Sequence, residues 1–268
     1  MTEKVDIKGN DQEDSKDRMF ITALARGLEV LRCFGPSDAM LGNQDISRRT
    51  GLPKPTVCRM THTLTKLGYL TFNPRLEKYQ LGSAVLALGY TALANMDIRQ
   101  IARPWMQEMA DATNASVSLG NRDRTSMIYI ESCRGKGPVT LRLDVGSRIP
   151  LATTAMGRAC MAVMEEADRD ALMDELAQRH SHDWPAIKAG IVQALKDYQD
   201  FGFTMSTGEW QPEIHAVGRA IKLPDSGAIV ALNCGAASFL MPKEKLQSFF
   251  GPSLVQVARN IETALARP

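Results

Sequence analysis

Long apolar runs are missing from this sequence, and so are the short motifs that mark common enzyme sites. No hydrophobic stretch approaches the roughly 20 residues needed to span a bilayer. The polar N-terminus, MTEKVDIKGNDQEDSKDR, lacks the apolar region of a signal peptide. There is no GxSxG nucleophile elbow, no HExxH zinc motif and no GxxxxGK(S/T) phosphate loop. These absences predict a cytoplasmic protein with no membrane partner, and they argue against catalysis.

Cysteine and histidine are scarce and poorly placed for metal binding. The five cysteines include no CxxC pair, which argues against a disulfide framework and against a cysteine-based zinc site. We expect all five to pack as small buried hydrophobes. Two histidines occur in His180-Ser181-His182-Asp183, but side chains two residues apart do not share a helix face. A solvated turn between helices is expected there, with no metal, cofactor or catalytic residue assigned.

Positive charge is concentrated in one segment of the chain. Residues 20–81 carry nine Lys or Arg against four Asp or Glu, a net charge of +5. Residues 1–19 carry four against six, and residues 82–268 carry nineteen against twenty. A length of 268 residues is comfortable for two domains. The asymmetry therefore predicts a polyanionic partner for one domain only.

Hydrophobic periodicity divides the chain into a helical half and a mixed half. Residues 1–19 are too polar to fold and are predicted to be a disordered tail. The next segment predicts three helices at 20–34, 43–50 and 54–67. A hairpin at 69–81 and a fourth helix at 83–96 follow. Val57, Met60, Leu64 and Leu67 form the apolar side of the third helix. The remainder predicts intermixed strands and helices, the latter at 98–112, 155–166, 168–179, 184–201 and 243–265. This order indicates an α+β protein.

The second and third helices are typical of a helix-turn-helix. In that motif the second helix enters the major groove of DNA, where arginine recognises guanine and threonine contacts bases. The predicted outward side chains of this helix are Thr56, Arg59, His62, Thr63 and Lys66. Four residues of the preceding helix and turn are placed for phosphate oxygens: Ser47, Arg48, Arg49 and Lys54. The hairpin would form a wing that offers Arg75 and Lys78. The alternative is a basic, solvated face on a small helical domain.

Four motifs together resemble the isocitrate lyase regulator (IclR) family of bacterial transcription factors. They are ALARGLEVLRCF at 23–34, ISRRTGLPKPTVCRMTHTLTKLGYL at 46–70, YQLGSAVLALGY at 79–90 and LDVGSRIPLATTAMGRACMA at 143–162. The resemblance implies a winged helix-turn-helix at 20–82, a linker helix at 83–97 and a GAF-like α/β effector-binding domain at 98–268. It also implies double-stranded operator DNA, a small organic acid as effector, and homodimers that pair into tetramers.

The resemblance further implies the residues around the effector. The loop before MGR supplies Thr153, Thr154, Ala155 and Gly157, whose small side chains leave backbone N–H groups for a carboxylate. Ser206 and Thr207 stand where many members have acidic residues. The other implied contacts are Glu209, Trp210, His215, Ala216, Asn233 and Gly235. Trp210 either stacks on a ligand ring or is a core or rim aromatic, and His215 is either a ligand contact or a structural histidine.

Three hypotheses follow for function. The first is an operator-binding regulator that senses a carboxylate or aromatic metabolite and controls a catabolic operon. The second is a regulator without small-molecule input whose C-terminal domain only oligomerises. The third is an enzyme or ligand carrier with a basic helical appendage.

Overall fold

The structure, a computed structural model, describes residues 19–137 and 143–266. The chain divides into two compact units, Met1–Asn95 and Met96–Pro268. Residues 1–18 of the predicted tail lie outside the described residues, as does part of the strand expected after Pro138. No helix within the described ranges is long and apolar enough to cross a membrane.

The first unit contains four helices and a hairpin. Its elements are α1 (Thr22–Arg32), α2 (Asn43–Thr50), α3 (Lys54–Lys66), β1 (Leu70–Asn73), β2 (Lys78–Leu81) and α4 (Ser83–Ala94). The predicted helices and hairpin are confirmed, with ends that differ by a few residues. One side chain from each of the first four elements forms the centre of the core, namely Val30, Ile46, Val57 and Leu70, each at most 2% exposed.

A tight turn joins α2 to α3. Gly51 ends α2 with a φ of 70°, a conformation that glycine adopts without steric cost, and its N–H donates to the Ser47 carbonyl at 2.9 Å. The Ser47 hydroxyl donates to the Leu52 carbonyl at 2.6 Å. Pro55 lies in the first turn of α3, where its missing N–H costs no hydrogen bond. These local bonds fix the angle at which α3 leaves the turn.

The C-terminus of α3 differs from prediction at one residue. Leu67 was expected to face inward, but it is 62% exposed. It is the C-cap residue, and the chain reverses immediately after it at Gly68, which has a φ of 78°. The Tyr69 N–H then donates to the Leu64 carbonyl and the Gly68 N–H to the Thr65 carbonyl, the Schellman arrangement. This reversal rotates Leu67 out of the apolar side of the helix.

The β1–β2 hairpin is attached to the segment that precedes α2. The two strands are antiparallel, with Phe72 opposite Tyr79, and their rings lie 4.9 Å apart. Leu41 and Tyr79 exchange two backbone hydrogen bonds of 2.9 and 2.8 Å. The hairpin is thus held to the helical core by main-chain bonds as well as by side-chain packing.

The second unit is built on a six-stranded antiparallel sheet with the order β5-β4-β3-β8-β7-β6. Its strands are β3 (Ser116–Asp123), β4 (Ser126–Arg134), β5 (Arg148–Pro150), β6 (Thr204–Thr207), β7 (Ile214–Lys222) and β8 (Ile229–Ala237). Its helices are α5 (Asp97–Thr113), α6 (Ala155–Ala162), α7 (Glu166–Arg179), α8 (Trp184–Phe201), α9 (Lys243–Lys245) and α10 (Gly251–Leu265). With the first unit, this arrangement confirms the predicted α+β class and GAF-like second domain.

Helices cover both faces of this sheet. α5 and α10 pack on each other and on the central strands, whereas α6 packs on β7 and β8 and is covered by α8. Glycines allow α6 to approach closely, because a Cβ on Gly218 of β7 would lie 2.3 Å from the Ala155 carbonyl oxygen. The sheet therefore has one face filled by two long helices and another that receives a short one.

Two sequence predictions require correction in this part of the fold, and one more in the first unit. α6 ends at Ala162 rather than at Glu166, and α7 begins at Glu166. The single last helix predicted at 243–265 is interrupted by a π-helical turn, Leu246–Phe250. Pro252 follows this turn, and because it lacks an N–H it cannot complete the regular helical bonding. Finally, Cys58 is exposed while the other four cysteines are buried. It follows the inward-facing Val57 by one residue, about 100° around α3.

A pair of glycine substitutions in the first unit tests the packing of the hairpin. A Cβ on Gly82 would lie 2.2 Å from the Gly68 carbonyl oxygen, whereas a Cβ on Gly89 of α4 meets no atom within 4 Å. We expect Gly82→Ala to reduce the free energy of unfolding by about 1–3 kcal/mol. Gly89→Ala should leave it unchanged or raise it by up to ~1 kcal/mol, since alanine favours a helix. Urea unfolding of both variants measures this, and equal stability of the two would contradict the close approach at Gly82.

Candidate nucleic-acid interface and ligand pocket

The outer side of α3 presents the polar side chains predicted from the sequence. Arg59, His62, Thr63 and Lys66 are exposed, and Thr56 is half-buried in the first turn. Val57 lies on the opposite side and is fully buried. The helix thus offers a cation, an imidazole and a hydroxyl in its N-terminal and middle turns, with a second cation at its end.

Thr61 has a structural role that the sequence pattern did not predict. It is fully buried, and its hydroxyl lies 3.1 Å from Asn43 Oδ1 at the start of α2 and 3.0 Å from the Val57 carbonyl. This hydroxyl ties α3 to α2. The only signal in the sequence was its spacing of four residues from Val57, which places both on one helix side.

Two residues expected to contact phosphates are bonded within their own domain. Arg49 forms two hydrogen bonds with the Asp38 carboxylate, at 2.6 and 2.9 Å, and a third with the Cys33 carbonyl. This bidentate contact lowers the pKa of Asp38 and raises that of Arg49. The Ser47 hydroxyl proton is donated to Leu52. Both side chains brace the turns around α2.

The remaining basic side chains predicted for phosphate contact are exposed. They belong to α2, to the first residue of α3 and to the hairpin: Arg48, Lys54, Arg75 and Lys78. Arg75 lies in the hairpin turn, where its backbone N–H donates to Asn73 Oδ1 at 3.1 Å. The first unit therefore displays cations from three successive elements.

The second unit contains a small cavity between the first turn of α6 and the sheet. Its volume is about 20 Å³. Seven of the residues expected around an effector line it: Thr154, Ala155, Ser206, Trp210, Ala216, Asn233 and Gly235. Three further lining residues were not predicted, namely Tyr129, Ile149 and Ile214. Tyr129 and Ile149 come from β4 and β5, whose approach to α6 depends on tertiary packing and leaves no local signal.

Glu209 lies away from this cavity. Its carboxylate accepts a 2.7 Å hydrogen bond from Arg158, which is only 2% exposed, and further bonds from the Ser206 hydroxyl and the Thr207 N–H. Burial raises the pKa of Glu209, but hydrogen bonding to Arg158 and its positive charge outweigh burial and hold that pKa below 4.5. Both residues line a separate cleft of about 300 Å³ next to α8. Glu209 is therefore the partner of a buried arginine.

The loop before α6 differs from prediction at two residues. Thr154 caps α6, and its hydroxyl oxygen accepts the Gly157 N–H at 3.2 Å, so this N–H is not free for a carboxylate. A Cβ on Gly157 would lie 2.1 Å from the Leu151 carbonyl oxygen, so this glycine permits close packing. Thr153 does not line the cavity, and its carbonyl oxygen shares the single hydroxyl proton of Ser206 with the Glu209 carboxylate, each acceptor lying 3.1 Å from that hydroxyl.

His215 is a buried histidine with a main-chain partner. Its Nδ1 lies 2.8 Å from the Met241 carbonyl oxygen, and the side chain is not part of the cavity wall. Of the two interpretations, the geometry agrees with the structural one. The other histidine pair, His180 and His182, lies in the connection between α7 and α8, as predicted.

Comparison with known proteins identifies both units. Residues 23–74 match the family model for the IclR helix-turn-helix domain, and residues 90–263 match that for the bacterial transcriptional regulator IclR C-terminal domain. The chain belongs to the IclR family of bacterial transcriptional regulators. It is accordingly a DNA-binding transcription regulator and not an enzyme.

Relatives of this regulator share its length and fold. It is 31% identical to the HTH-type transcriptional regulator TsaQ1/TsaQ2 of Comamonas testosteroni, over 98% of this chain and 95% of that one. The crystal structure of an IclR family transcriptional regulator from Brucella abortus has a TM-score of 0.88 and 44% identity, covering 93% and 94% of the two chains. An IclR homologue from Microbacterium hydrocarbonoxydans, 19% identical with a TM-score of 0.66 and covering 90% and 100%, was crystallised with 4-hydroxybenzoate.

The pairing of Arg158 with Glu209 predicts a pH-dependent contribution to stability. Because the folded pKa of Glu209 is depressed, this contribution is present above about pH 4.5 and is lost as the pH falls through the folded pKa. Glu209→Gln should cost roughly 1–3 kcal/mol at neutral pH, since it leaves a buried guanidinium without its anion. The difference from the unchanged protein should shrink in acid, as measured by thermal unfolding between pH 3 and pH 7. Glu213→Gln, an exposed change on the same connection, is the control and should have no effect.

Proposed function

We propose that this IclR-family regulator binds a small carboxylate or aromatic metabolite in the cavity beside α6 and thereby changes the occupancy of the operator of a catabolic operon. The observation that carries the proposal is this cavity, which opens between a capped helix and the sheet and carries polar groups on an apolar wall. Such a combination is typical of small-molecule sites. The crystallised homologue with 4-hydroxybenzoate supports a ligand-binding role for this fold.

In this proposal α3 is the recognition helix. Arg59 reads a guanine through its O6 and N7 atoms, and Thr56, His62 and Thr63 contact neighbouring bases or phosphates. Arg48, Lys54 and Lys66 contact phosphate oxygens beside the groove, and Arg75 and Lys78 do so from the hairpin wing. Ser47 and Arg49, which have partners within the domain, hold the motif in shape.

A substitution at Arg59 tests this assignment. We expect Arg59→Ala to weaken operator binding by about 1–3 kcal/mol and to relax the preference for one base pair, because a bidentate contact is lost. Fluorescence anisotropy with operator DNA and with single-base variants measures both effects. Arg259→Ala removes an exposed arginine from α10 in the second unit and should leave binding unchanged. An equal loss on every DNA sequence would make Arg59 a phosphate contact.

We further propose that two copies of the chain associate through α1 and α4. Both helices leave apolar side chains exposed: Leu24 and Leu28 of α1 and the preceding Ile21 are 52–65% exposed, and Leu86 and Tyr90 of α4 are 75% and 71% exposed. Exposed large apolar side chains grouped on one domain are typical of interaction surfaces. Pairing by a two-fold axis would present two recognition helices to a palindromic operator. Association of such dimers into tetramers remains part of the family expectation.

Leu86→Lys tests the dimer. Placing a charge in an apolar interface should shift the protein towards monomers, and operator affinity should fall because two half-sites are no longer bound together. Leu76→Lys, at a residue in the hairpin turn that is 52% exposed, is the matched control and should leave the oligomeric state unchanged. Analytical ultracentrifugation measures the state. A Leu86→Lys protein that remains dimeric would move the interface elsewhere.

One observation favours a regulator without small-molecule input. The cavity of about 20 Å³ holds little more than a water molecule, so a metabolite enters only if the wall separates. Trp210 lies in the connection between β6 and β7, outside regular secondary structure, and is the part of the wall that we expect to move. A thermal-shift screen of the full-length protein against metabolites decides between the two functions. A ligand that raises the melting temperature supports sensing, and a flat response supports a purely oligomerising domain.

A further inference from the structure

The wall of the cavity contains a polar atom without a partner. Asn233 lies on β8, is 7% exposed and lines the cavity. Its Oδ1 is buried and accepts no hydrogen bond from any described residue. A buried carbonyl oxygen without a hydrogen-bond donor is destabilising, so it is an unusual feature to retain in a well-packed sheet.

The hydrogen bond of the Asn233 amide shows which of its ends faces the cavity. Its Nδ2 donates to the Tyr129 hydroxyl oxygen at 3.3 Å.

Tyr129 can accept this bond whatever its own proton contacts. Burial raises the pKa of Tyr129 to about 12, so its hydroxyl is protonated at neutral pH and its oxygen still has lone pairs for Asn233 Nδ2. With the NH2 group directed to Tyr129, the other amide atom, Oδ1, is directed into the cavity.

The surroundings of Oδ1 define what it can bind. Two other lining residues, Thr154 and Ser206, already donate their hydroxyl protons to carbonyl or carboxylate oxygens. Apolar side chains are added by Ile149, Trp210, Ile214 and Ala216. None of the described lining residues is charged. Arg158, a buried cation four residues after the lining residue Thr154, is already paired with Glu209 in the other cleft. A carboxylate placed against Oδ1 would meet a second acceptor and lose its hydration, whereas an O–H or N–H would satisfy it.

We propose that the ligand of this cavity presents a neutral hydrogen-bond donor, a hydroxyl or amide N–H carried on an apolar ring, to Asn233 Oδ1. This inference rests on the proposed effector site and refines it. Any carboxylate on the ligand then lies at the end of the ligand that is farther from β8. Trp210 packs against the ring once the wall has separated to admit it. The hydrogen-bonding group that the ligand must present is therefore determined by Asn233 of the sheet rather than by the loop before α6.

Three small probes test this on the full-length protein. Phenol donates a hydrogen bond, anisole has the same ring without the donor, and benzoate carries a negative charge instead. Titrations monitored by tryptophan fluorescence report binding, and a Trp210→Phe variant identifies which of the three tryptophans gives the signal. We expect phenol to bind about tenfold more tightly than anisole, as for a donor that satisfies a buried acceptor, and benzoate to bind more weakly than phenol.

Substitution of Asn233 tests whether its Oδ1 causes the preference for phenol over anisole. Asn233→Leu keeps a similar volume without the acceptor and should bind phenol and anisole equally. Val192→Leu, an exposed change on α8, should retain the wild-type preference. The comparison of probes on the unchanged protein needs no variant, so a poorly folded Asn233→Leu protein leaves the test intact.

The outcomes separate this inference from the proposed function. Equal binding of phenol and anisole, or tighter binding of benzoate, would overturn the donor rule while leaving a ligand site beside Trp210. A phenol preference that persists in Asn233→Leu would overturn the assignment to Asn233. Absence of any Trp210 response to all three probes would count against both the donor rule and the effector site.

Discussion

The close contact between the first turn of α6 and the main chain beneath it determines the architecture of the second unit. The Ala155 carbonyl accepts the Thr204 hydroxyl at 2.7 Å, and there is no room for a side chain on Gly218 of the neighbouring strand. Gly157 is similarly confined by Leu151. These contacts place the first turn of the helix directly against the main chain of β7 and of the segment before the helix. They hold Thr154 and Ala155 in the wall of the cavity.

The first unit could be predicted almost completely from its sequence, because its structure depends on local signals. Helical periodicity, the glycine turn at Gly51 and the reversal at Gly68 each act within a few residues. The two wrong predictions concern side-chain exposure. One occurs where the chain reverses at the end of a helix, and the other at a position between the buried and exposed sides of a helix. Leu67 and Cys58 were assigned to the core by spacing and type, yet chain reversal exposes the first and helix rotation exposes the second.

The candidate ligand site could be predicted only in outline. Seven residues placed by the resemblance surround one cavity, but the partners of polar groups come from distant parts of the chain. Arg158 and Glu209 are 51 residues apart, and Asn233 and Tyr129 are 104 apart. Neither pairing leaves a periodic pattern, so Glu209 was interpreted as a ligand contact and Tyr129 was not considered. Residue type showed that the site is polar, whereas only the fold shows which polar groups are already bonded.

The main-chain bonds between Leu41 and Tyr79 have a consequence for how such a regulator can respond to a signal. They join the hairpin to the segment before α2, while Thr61 joins α3 to α2. The helix α3 and the hairpin are thus both bonded to α2 or to the segment before it, and their mutual arrangement is set when the domain folds. Under the proposed function, a ligand in the second unit would leave the shape of each DNA-binding domain unchanged. It would then control DNA binding through the spacing and angle between the two DNA-binding domains of a dimer.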